Sequence, residues 1–232
     1  MNAPAARLVD RLRAVAFDLD GTLIDSVPDL AAAANYALVD VGATPIAQEA
    51  IAAMVGGGIE VLVERALTRA FSTRPTADLH GRALACFREY YAEHLYDRSR
   101  VFPGVVAALR ALREDGLALC CITNKAATFA EPLLAAAGLA PYLDHVFSPE
   151  LRAERKPAPD LLLRACNALD VRPVELLYVG DSCADVGAAR AAGCPVAAVD
   201  YGYHQGQLRG EFAPDWLIGS LTEVIALPAL DR

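Results

Sequence analysis

Short apolar segments alternate with helical patterns along most of this chain, and this alternation restricts the possible folds more than any other feature. Six apolar segments have the length of buried strands, and they lie at residues 14–17, 118–122, 145–147, 176–179, 196–199 and 216–218. Amphipathic patterns typical of helices lie between most of them, at residues 105–114, 128–137, 159–169 and 184–192. The alternation predicts an α/β fold with a doubly wound parallel sheet.

Residues 25–98 depart from this alternation. They contain four helical patterns and no segment with the character of a strand, the helices being expected at residues 28–41, 47–55, 60–71 and 77–96. We therefore predict an all-helical cap domain, residues 25–98, inserted into a discontinuous α/β core of residues 1–24 and 99–232. The alternative is that these helices pack as extra elements on one face of the sheet.

Composition excludes several classes of function. The chain is 55% hydrophobic and carries a formal net charge of -8, so a broad surface for nucleic acid is not expected. No segment has the roughly 20 apolar residues of a membrane helix, and no signal peptide is visible, so we expect a cytoplasmic protein that does not bind membranes. The six cysteines show no metal-ligand spacing and are expected to be reduced thiols.

Polar residues follow four of the predicted strands. Asp18 and Asp20 follow the first, Thr123 and Asn124 the second, and a loop to Lys156 the third, while Asp181 and Asp185 follow the fourth. Each of these loops alone has an ordinary explanation, since loops are polar. Because parallel strands present their carboxyl ends at one edge of a sheet, we expect these residues to converge on one site.

The carboxylates have both structural and functional interpretations. Asp18 and Asp20 could form a turn and a helix cap, but Asp18 directly follows a buried run, where an unpaired charge is costly. Asp181 could be a helix N-cap with Asp185 in the first turn. Together these carboxylates suit a hard divalent cation, and Mg²⁺ fits best because it needs few protein carboxylates and keeps waters and substrate oxygens.

Lysine is rare in this chain. Of 21 basic residues only Lys125 and Lys156 are lysines, and both lie in loops that follow predicted strands. Lys156, which precedes Pro157 at a helix start, is the stronger candidate for a specific role. Lys125 could equally be a solvated side chain.

These residues resemble the four motifs of the haloacid dehalogenase superfamily. The motifs are Asp18-Leu-Asp-Gly-Thr22, Thr123-Asn124, Lys156-Pro157 and Gly180-Asp-Ser-Cys-Ala-Asp185. The helical insertion resembles the type 1 cap of that superfamily. Bacterial phosphoglycolate phosphatases, which convert 2-phosphoglycolate to glycolate and phosphate, are resembled more closely still by four stretches: Asp25-Ser-Val-Pro-Asp-Leu30, Val55-Gly-Gly-Gly58, Thr123-Asn-Lys125 and Tyr201-Gly-Tyr203.

The resemblance implies a mechanism. Asp18 would attack phosphorus and form an aspartyl-phosphate, while Asp20 would protonate the leaving group and later activate water. The resemblance gives phosphate binding to Thr123, Asn124 and Lys156. It gives Mg²⁺ binding to Asp18, to the main-chain carbonyl of Asp20, and to Asp181, with Asp185 binding the ion directly or through a neighbour. The partner would be a small phosphate ester, and the protein a monomer or homodimer.

Substrate choice is expected to depend on the helical cap. The N–H groups of Gly56, Gly57 and Gly58 precede a predicted helix and could receive a substrate carboxylate, although a simple glycine turn explains the run nearly as well. Arg65 is a further candidate, or a solvated arginine.

Other functions remain open at this point. A phosphatase for a sugar-acid or amino-sugar phosphate, or a phosphomutase, would use the same catalytic residues. A non-catalytic phosphate-binding protein is the alternative from another class.

Overall fold

The computed structural model describes residues 7–204 and 206–229. Its main sheet has six parallel strands in the order β5-β4-β1-β6-β7-β8. The strands of this sheet are β1 (Ala14–Phe17), β4 (Ala118–Ile122), β5 (His145–Phe147), β6 (Leu176–Gly180), β7 (Val196–Val199) and β8 (Trp216–Ile218). The sequence prediction of a parallel, doubly wound sheet is therefore confirmed, and each strand agrees with its predicted segment.

The sheet buries apolar side chains on both faces, and this explains why its strands are continuous apolar runs. Val15 and Phe17 of β1 belong to one hydrophobic cluster, while Ala14 and Ala16 belong to another. Helices α5 (Val105–Glu114) and α6 (Ala127–Ala136) cover the first face. Helices α7 (Asp160–Leu169) and α8 (Cys183–Ala192) cover the second face.

Four helices lie between β1 and the rest of the sheet, as predicted. They are α1 (Val27–Asp40), α2 (Gln48–Ala52), α3 (Ile59–Phe71) and α4 (Ala77–Glu93), and we refer to residues 27–93 as the helical segment. Their apolar faces form a hydrophobic cluster of their own, joined by Phe129 of α6. Residues 1–6 and 230–232 of the predicted core lie outside the described residues, and the domain boundaries stay a prediction.

Two short strands bracket the helical segment, and the sequence pattern did not indicate them. β2 (Ile24–Asp25) pairs antiparallel with β3 (Arg100–Val101). Nearby, the buried carboxylate of Asp29 accepts hydrogen bonds from the backbone N–H groups of Arg98 and Ser99 and from the Ser99 hydroxyl. Strands of two residues carry no detectable alternation, so only the tertiary structure reveals them. Over the described residues, no helix is long and apolar enough to cross a membrane.

Candidate active site

The register of the sheet brings the predicted site residues together. Phe17 at the end of β1 pairs with Cys121 of β4 on one side and with Val179 of β6 on the other. The next residues of all three strands therefore leave the same edge of the sheet side by side. After β1 the chain builds the β4 side of the sheet, and from β6 onward it builds the opposite side, so β1 lies at the switch point where ligands bind in such sheets.

Three buried carboxylates meet at this edge. Asp18, Asp181 and Asp185 each offer an oxygen atom, and these atoms all lie within 4.8 Å of one another. Burial raises the pKa of the Asp18 carboxyl, with Lys156 opposing the rise and Asp185 adding to it. Burial and the charges of Asp185 and Asp18 raise the pKa of Asp181 well above its ordinary value. A single lysine therefore leaves this cluster short of positive charge.

That lysine is Lys156, which is buried among the carboxylates. Its Nζ lies 2.7 Å from Asp18 Oδ1 and 2.7 Å from Asp185 Oδ1, and it donates to the Tyr178 hydroxyl at 2.8 Å. Burial alone would lower the pKa of the Lys156 ammonium, but Asp18 and Asp185 outweigh burial and raise it. Lys156 therefore places its ammonium directly beside the Asp18 carboxyl.

Asp185 has its two oxygens fully engaged by the protein. Oδ1 accepts from Lys156 and from the Tyr178 hydroxyl, while Oδ2 accepts from the N–H groups of Asp181 and Ser182 and from the Ser182 hydroxyl. The helix N-cap is Ser182, and Asp185 completes a capping box with it, so the alternative in which Asp181 caps the helix is wrong. Asp181 therefore does not cap the helix, and its Oδ2 accepts a hydrogen bond from the N–H of Tyr203.

Asp20 points toward a second lysine. Lys125 Nζ lies 3.0 Å from Asp20 Oδ1 and 3.2 Å from Oδ2, and the Ser26 hydroxyl also donates to Oδ1. The Lys125 ammonium also lies 4.9 Å from the centre of the Tyr91 ring. Lys125 is only 4% exposed, so the interpretation of it as a solvated side chain is wrong. A buried ammonium must be paired, and Asp20 and the ring face supply that pairing.

Thr123 and Asn124 differ in the number of hydrogen bonds that their side chains make within the protein. Thr123 is buried, and its hydroxyl oxygen accepts from the N–H of Lys125. The Asn124 amide donates to the carbonyls of Gly56 and Lys156 and accepts from the N–H of Lys156. Asn124 therefore ties the loop after β4 to the loop of Lys156 and to the helical segment.

A pocket with about 390 Å³ of empty volume, its open mouth included, separates the sheet edge from the helical segment. Asp18, Asp20, Thr123, Asn124 and Lys125 line it from the sheet side. Gly56 and Gly58 line it from the helical side, together with apolar side chains of Leu30, Val55, Ile59 and Leu62.

The other two cap candidates lie elsewhere. The Gly57 carbonyl accepts from Arg155, whose guanidinium also contacts Glu60 at 2.6 Å. Arg65 is exposed and donates to the Met54 carbonyl, and it does not line the pocket.

Sequence reasoning missed several residues that hold the site in place. The single O–H of Tyr178 lies within hydrogen-bond distance of both Asp185 Oδ1 and the Ile122 carbonyl, and the Ser26 hydroxyl donates to Asp20. Tyr203 binds Asp25 through its hydroxyl, while its N–H binds Asp181. Tyr178 could have been found from the sequence, since it is a tyrosine within an otherwise apolar strand. A buried hydroxyl needs a hydrogen-bond partner, so its position indicates a polar neighbour. Ser26 left no such signal.

Gly21 shows how closely the first loop approaches the carboxylates. Its φ is +90°, which L side chains rarely adopt, and a Cβ at this position would collide with the Asp181 carboxylate. The Asp-Gly pair after β1 is therefore required both by the turn and by the space that Asp181 occupies.

The fold and the site together define an α/β protein with a cluster of buried carboxylates at the switch point of its sheet. A model of the haloacid dehalogenase-like hydrolase family matches residues 12–193. The chain belongs to this family.

Related proteins agree with this assignment. A phosphoglycolate phosphatase of Thiobacillus denitrificans is 43% identical over 91% of this chain and 93% of its own length. One from Nitrosospira multiformis is 44% identical over 93% of this chain and 95% of its own length. A crystal structure of a predicted phosphoglycolate phosphatase from Haemophilus somnus 129pt superposes with a TM-score of 0.88 at 32% identity, covering 93% of this chain and 97% of that one. The prediction of a phosphatase is confirmed.

Proposed function

We propose that this phosphatase hydrolyses 2-phosphoglycolate to glycolate and phosphate, with Asp18 as nucleophile and Asp20 as acid and base. The observation that carries the proposal is that both carboxylates line one pocket and that each is held by its own buried lysine. The names of the relatives at 43% and 44% identity support the choice of substrate.

In the first step, an oxygen of Asp18 attacks phosphorus and the bond from phosphorus to the ester oxygen breaks. The electron pair of that bond goes to the ester oxygen, which takes a proton from Asp20 and leaves as glycolate. Lys156, at 2.7 Å from Asp18, lies where it can also neutralise the phosphoryl oxygens. Lys125 and Ser26 keep the Asp20 carboxyl in one orientation.

In the second step, Asp20 takes a proton from water and the resulting hydroxide attacks phosphorus of the aspartyl-phosphate. The bond to Asp18 breaks, phosphate leaves, and the Asp18 carboxylate is restored. Acid and base assistance contributes roughly 10²–10⁴-fold, whereas the fastest phosphate-ester enzymes accelerate hydrolysis by up to about 10²¹-fold. Charge neutralisation and positioning must supply most of the remainder.

The residues present fit a magnesium ion. Burial, together with the neighbouring carboxylates, raises the pKa values of Asp18 and Asp181, and a hard dication would stabilise the ionised forms of both carboxylates. We assign direct binding to Asp18, Asp181 and the Asp20 carbonyl. Asp185 instead holds Lys156, because its oxygens already accept five hydrogen bonds. When bound, the ion would supply positive charge to the phosphoryl group.

The helical segment completes the pocket, and we assign substrate selection to it and to the loop of Lys125. Gly58 is the N-cap residue of α3, and Gly56 and Gly58 line the pocket, so backbone N–H groups at this helix start can face an anionic substrate. Arg65 takes no part in this proposal, because it lies outside the pocket.

The test is phosphate release from a panel of esters with and without Mg²⁺. The panel holds 2-phosphoglycolate, a sugar-acid phosphate, an amino-sugar phosphate and a hexose phosphate. We expect the highest kcat/KM with 2-phosphoglycolate, and loss of activity when EDTA removes the metal. A higher kcat/KM on another ester would reassign the substrate. An isomeric phosphate in place of free phosphate would identify a mutase, and binding without turnover would contradict the enzyme.

A further inference from the structure

We propose that Lys125 is the residue that recognises the substrate's carboxylate, so that the two lysines of the chain hold the two anionic ends of one small molecule. This inference rests on the proposed function, because it concerns how the site selects 2-phosphoglycolate over esters without a carboxylate.

The small size of the substrate limits where its carboxylate can lie. Three covalent bonds separate the ester oxygen of 2-phosphoglycolate from a carboxylate oxygen, so the two atoms lie roughly 3 Å apart. The ester oxygen must be within hydrogen-bond reach of Asp20, which protonates it. A receptor for the carboxylate must therefore lie next to Asp20. Lys125 Nζ is 3.0 Å and 3.2 Å from the two Asp20 oxygens.

Charge points to the same residue. Of the described residues that line the pocket, Lys125 is the one with a cationic side chain. Lys156 is engaged with Asp18 and Asp185 at the sheet edge, where the phosphoryl group must bind. Arg155 donates to the Gly57 carbonyl and to the Glu60 carboxylate of the helical segment, and it is not among the residues that line the pocket. The end of the substrate away from phosphorus therefore meets Lys125.

The ammonium of Lys125 has the capacity for a second anion. It carries three N–H donors, and its contacts with the two Asp20 oxygens use at most two of them, so a substrate carboxylate would compete for the third with the nearby Tyr91 hydroxyl. Lys125 can thus hold Asp20 and the substrate carboxylate together. Burial strengthens such a contact, since only 4% of the residue is exposed and water competes poorly. The Tyr91 ring at 4.9 Å limits the positions open to the ammonium.

The experiment compares two esters on two variants. The esters are 2-phosphoglycolate and ethyl phosphate, which keeps the phosphoryl group and the two-carbon chain but lacks the carboxylate. Lys125→Met removes the charge, and Lys125→Arg keeps a charge in altered geometry. Arg82→Met is the matched control, because Arg82 is exposed on α4 and is not among the residues that line the pocket.

We expect wild-type enzyme to prefer 2-phosphoglycolate, and Lys125→Met to reduce that preference by about 30-fold or more through a higher KM. Ethyl phosphate turnover should also fall, because Asp20 loses a partner that orients it, but by a smaller factor than turnover of 2-phosphoglycolate. Lys125→Arg should recover part of the preference. Equal losses on both esters would overturn the inference, because Lys125 would then act only through Asp20. Should Lys125→Met not fold, Lys125→Gln removes the charge in its place, and an unchanged ester preference in that variant would overturn the inference.

Failure of the proposed function would look different. In that case wild-type enzyme itself would show no preference for 2-phosphoglycolate over ethyl phosphate, and the inference would fall with it. A preference in wild type that survives in Lys125→Met would contradict the inference alone.

Discussion

The two ends of the site use the same pair of residue types for different purposes. At the inner end, Lys156 lies among Asp18, Asp185 and Tyr178 at the sheet edge. At the outer end, Lys125 pairs with Asp20 and faces the helical segment. The inner end has more carboxylates than cations, which favours a divalent cation there, whereas the outer end has one lysine for one carboxylate.

This contrast explains how one fold can keep its chemistry and change its substrate. At the inner end, Asp18, Tyr178 and Asp181 lie in or directly after the adjacent strands β1 and β6, so their positions cannot shift without disturbing the sheet. The outer end meets side chains of helices α1, α3 and α4 and the glycines that precede α3. We expect substitutions at the inner end to affect every substrate, and those at the outer end to affect mainly the preference among substrates.

The largest effect is expected from Asp18→Asn. Asn keeps the shape of the side chain but cannot act as the nucleophile, so kcat should fall on the order of 10⁴-fold or more for every ester. Circular dichroism and thermal unfolding check that the fold persists. Mass spectrometry must first exclude deamidation of the new Asn, since substantial turnover in a pure preparation would refute the assignment.

Lys156→Met is the inner counterpart of Lys125→Met. Removing a charge that faces the phosphoryl group should lower kcat by about 10²–10³-fold with 2-phosphoglycolate and with ethyl phosphate alike. The ratio of kcat/KM values for the two esters should stay as in wild type. A selective loss with 2-phosphoglycolate would reverse the roles that we give to the two lysines.

Asp181→Asn and Asp185→Asn test two different roles within the inner end. Direct binding of Mg²⁺ by Asp181 predicts that Asp181→Asn raises the Mg²⁺ concentration for half-maximal activity by about 10–100-fold. Asp185→Asn should mainly lower the maximal rate, because it loosens Lys156. Titration of activity with MgCl₂ separates the two results, and an equal shift in both variants would mean that Asp185 also binds the ion directly.

Gly57→Pro should have the smallest effect and should be confined to the outer end. Proline removes an N–H from the glycine loop, so KM for 2-phosphoglycolate should rise by about 10-fold or less, with little change in kcat. Steady-state kinetics measures this change. An unchanged KM would show that the glycine loop only joins two helices.

Much of the inner end could be predicted from the sequence because it follows from parallel strands. Once Asp18, Thr123 and Asp181 were placed directly after strands, the geometry of a parallel sheet required them to meet. The rarity of lysine singled out Lys125 and Lys156 as well. The sheet and its covering helices were predictable for a similar reason, since their apolar patterns are long and regular.

The outer end was harder to predict because its contacts join distant segments that share no periodic pattern. Lys125 contacts Tyr91 of α4, and Asn124 binds the Gly56 carbonyl, across the gap between sheet and helical segment. Whether Lys125 is solvated or buried depends on that packing. The strands β2 and β3 were missed for the same reason, since each is stabilised by a partner more than seventy residues away.

The central claim is that Asp18 accepts the phosphoryl group, and trapping that intermediate tests it most directly. Wild-type enzyme with Mg²⁺ and 2-phosphoglycolate would be quenched in acid within one turnover, digested, and analysed by mass spectrometry. We predict a phosphoryl group on the peptide that contains Asp18, and none in Asp18→Asn. A phosphoryl group on another residue, or rapid phosphate release with no phosphorylated peptide at any quench time, would contradict the account.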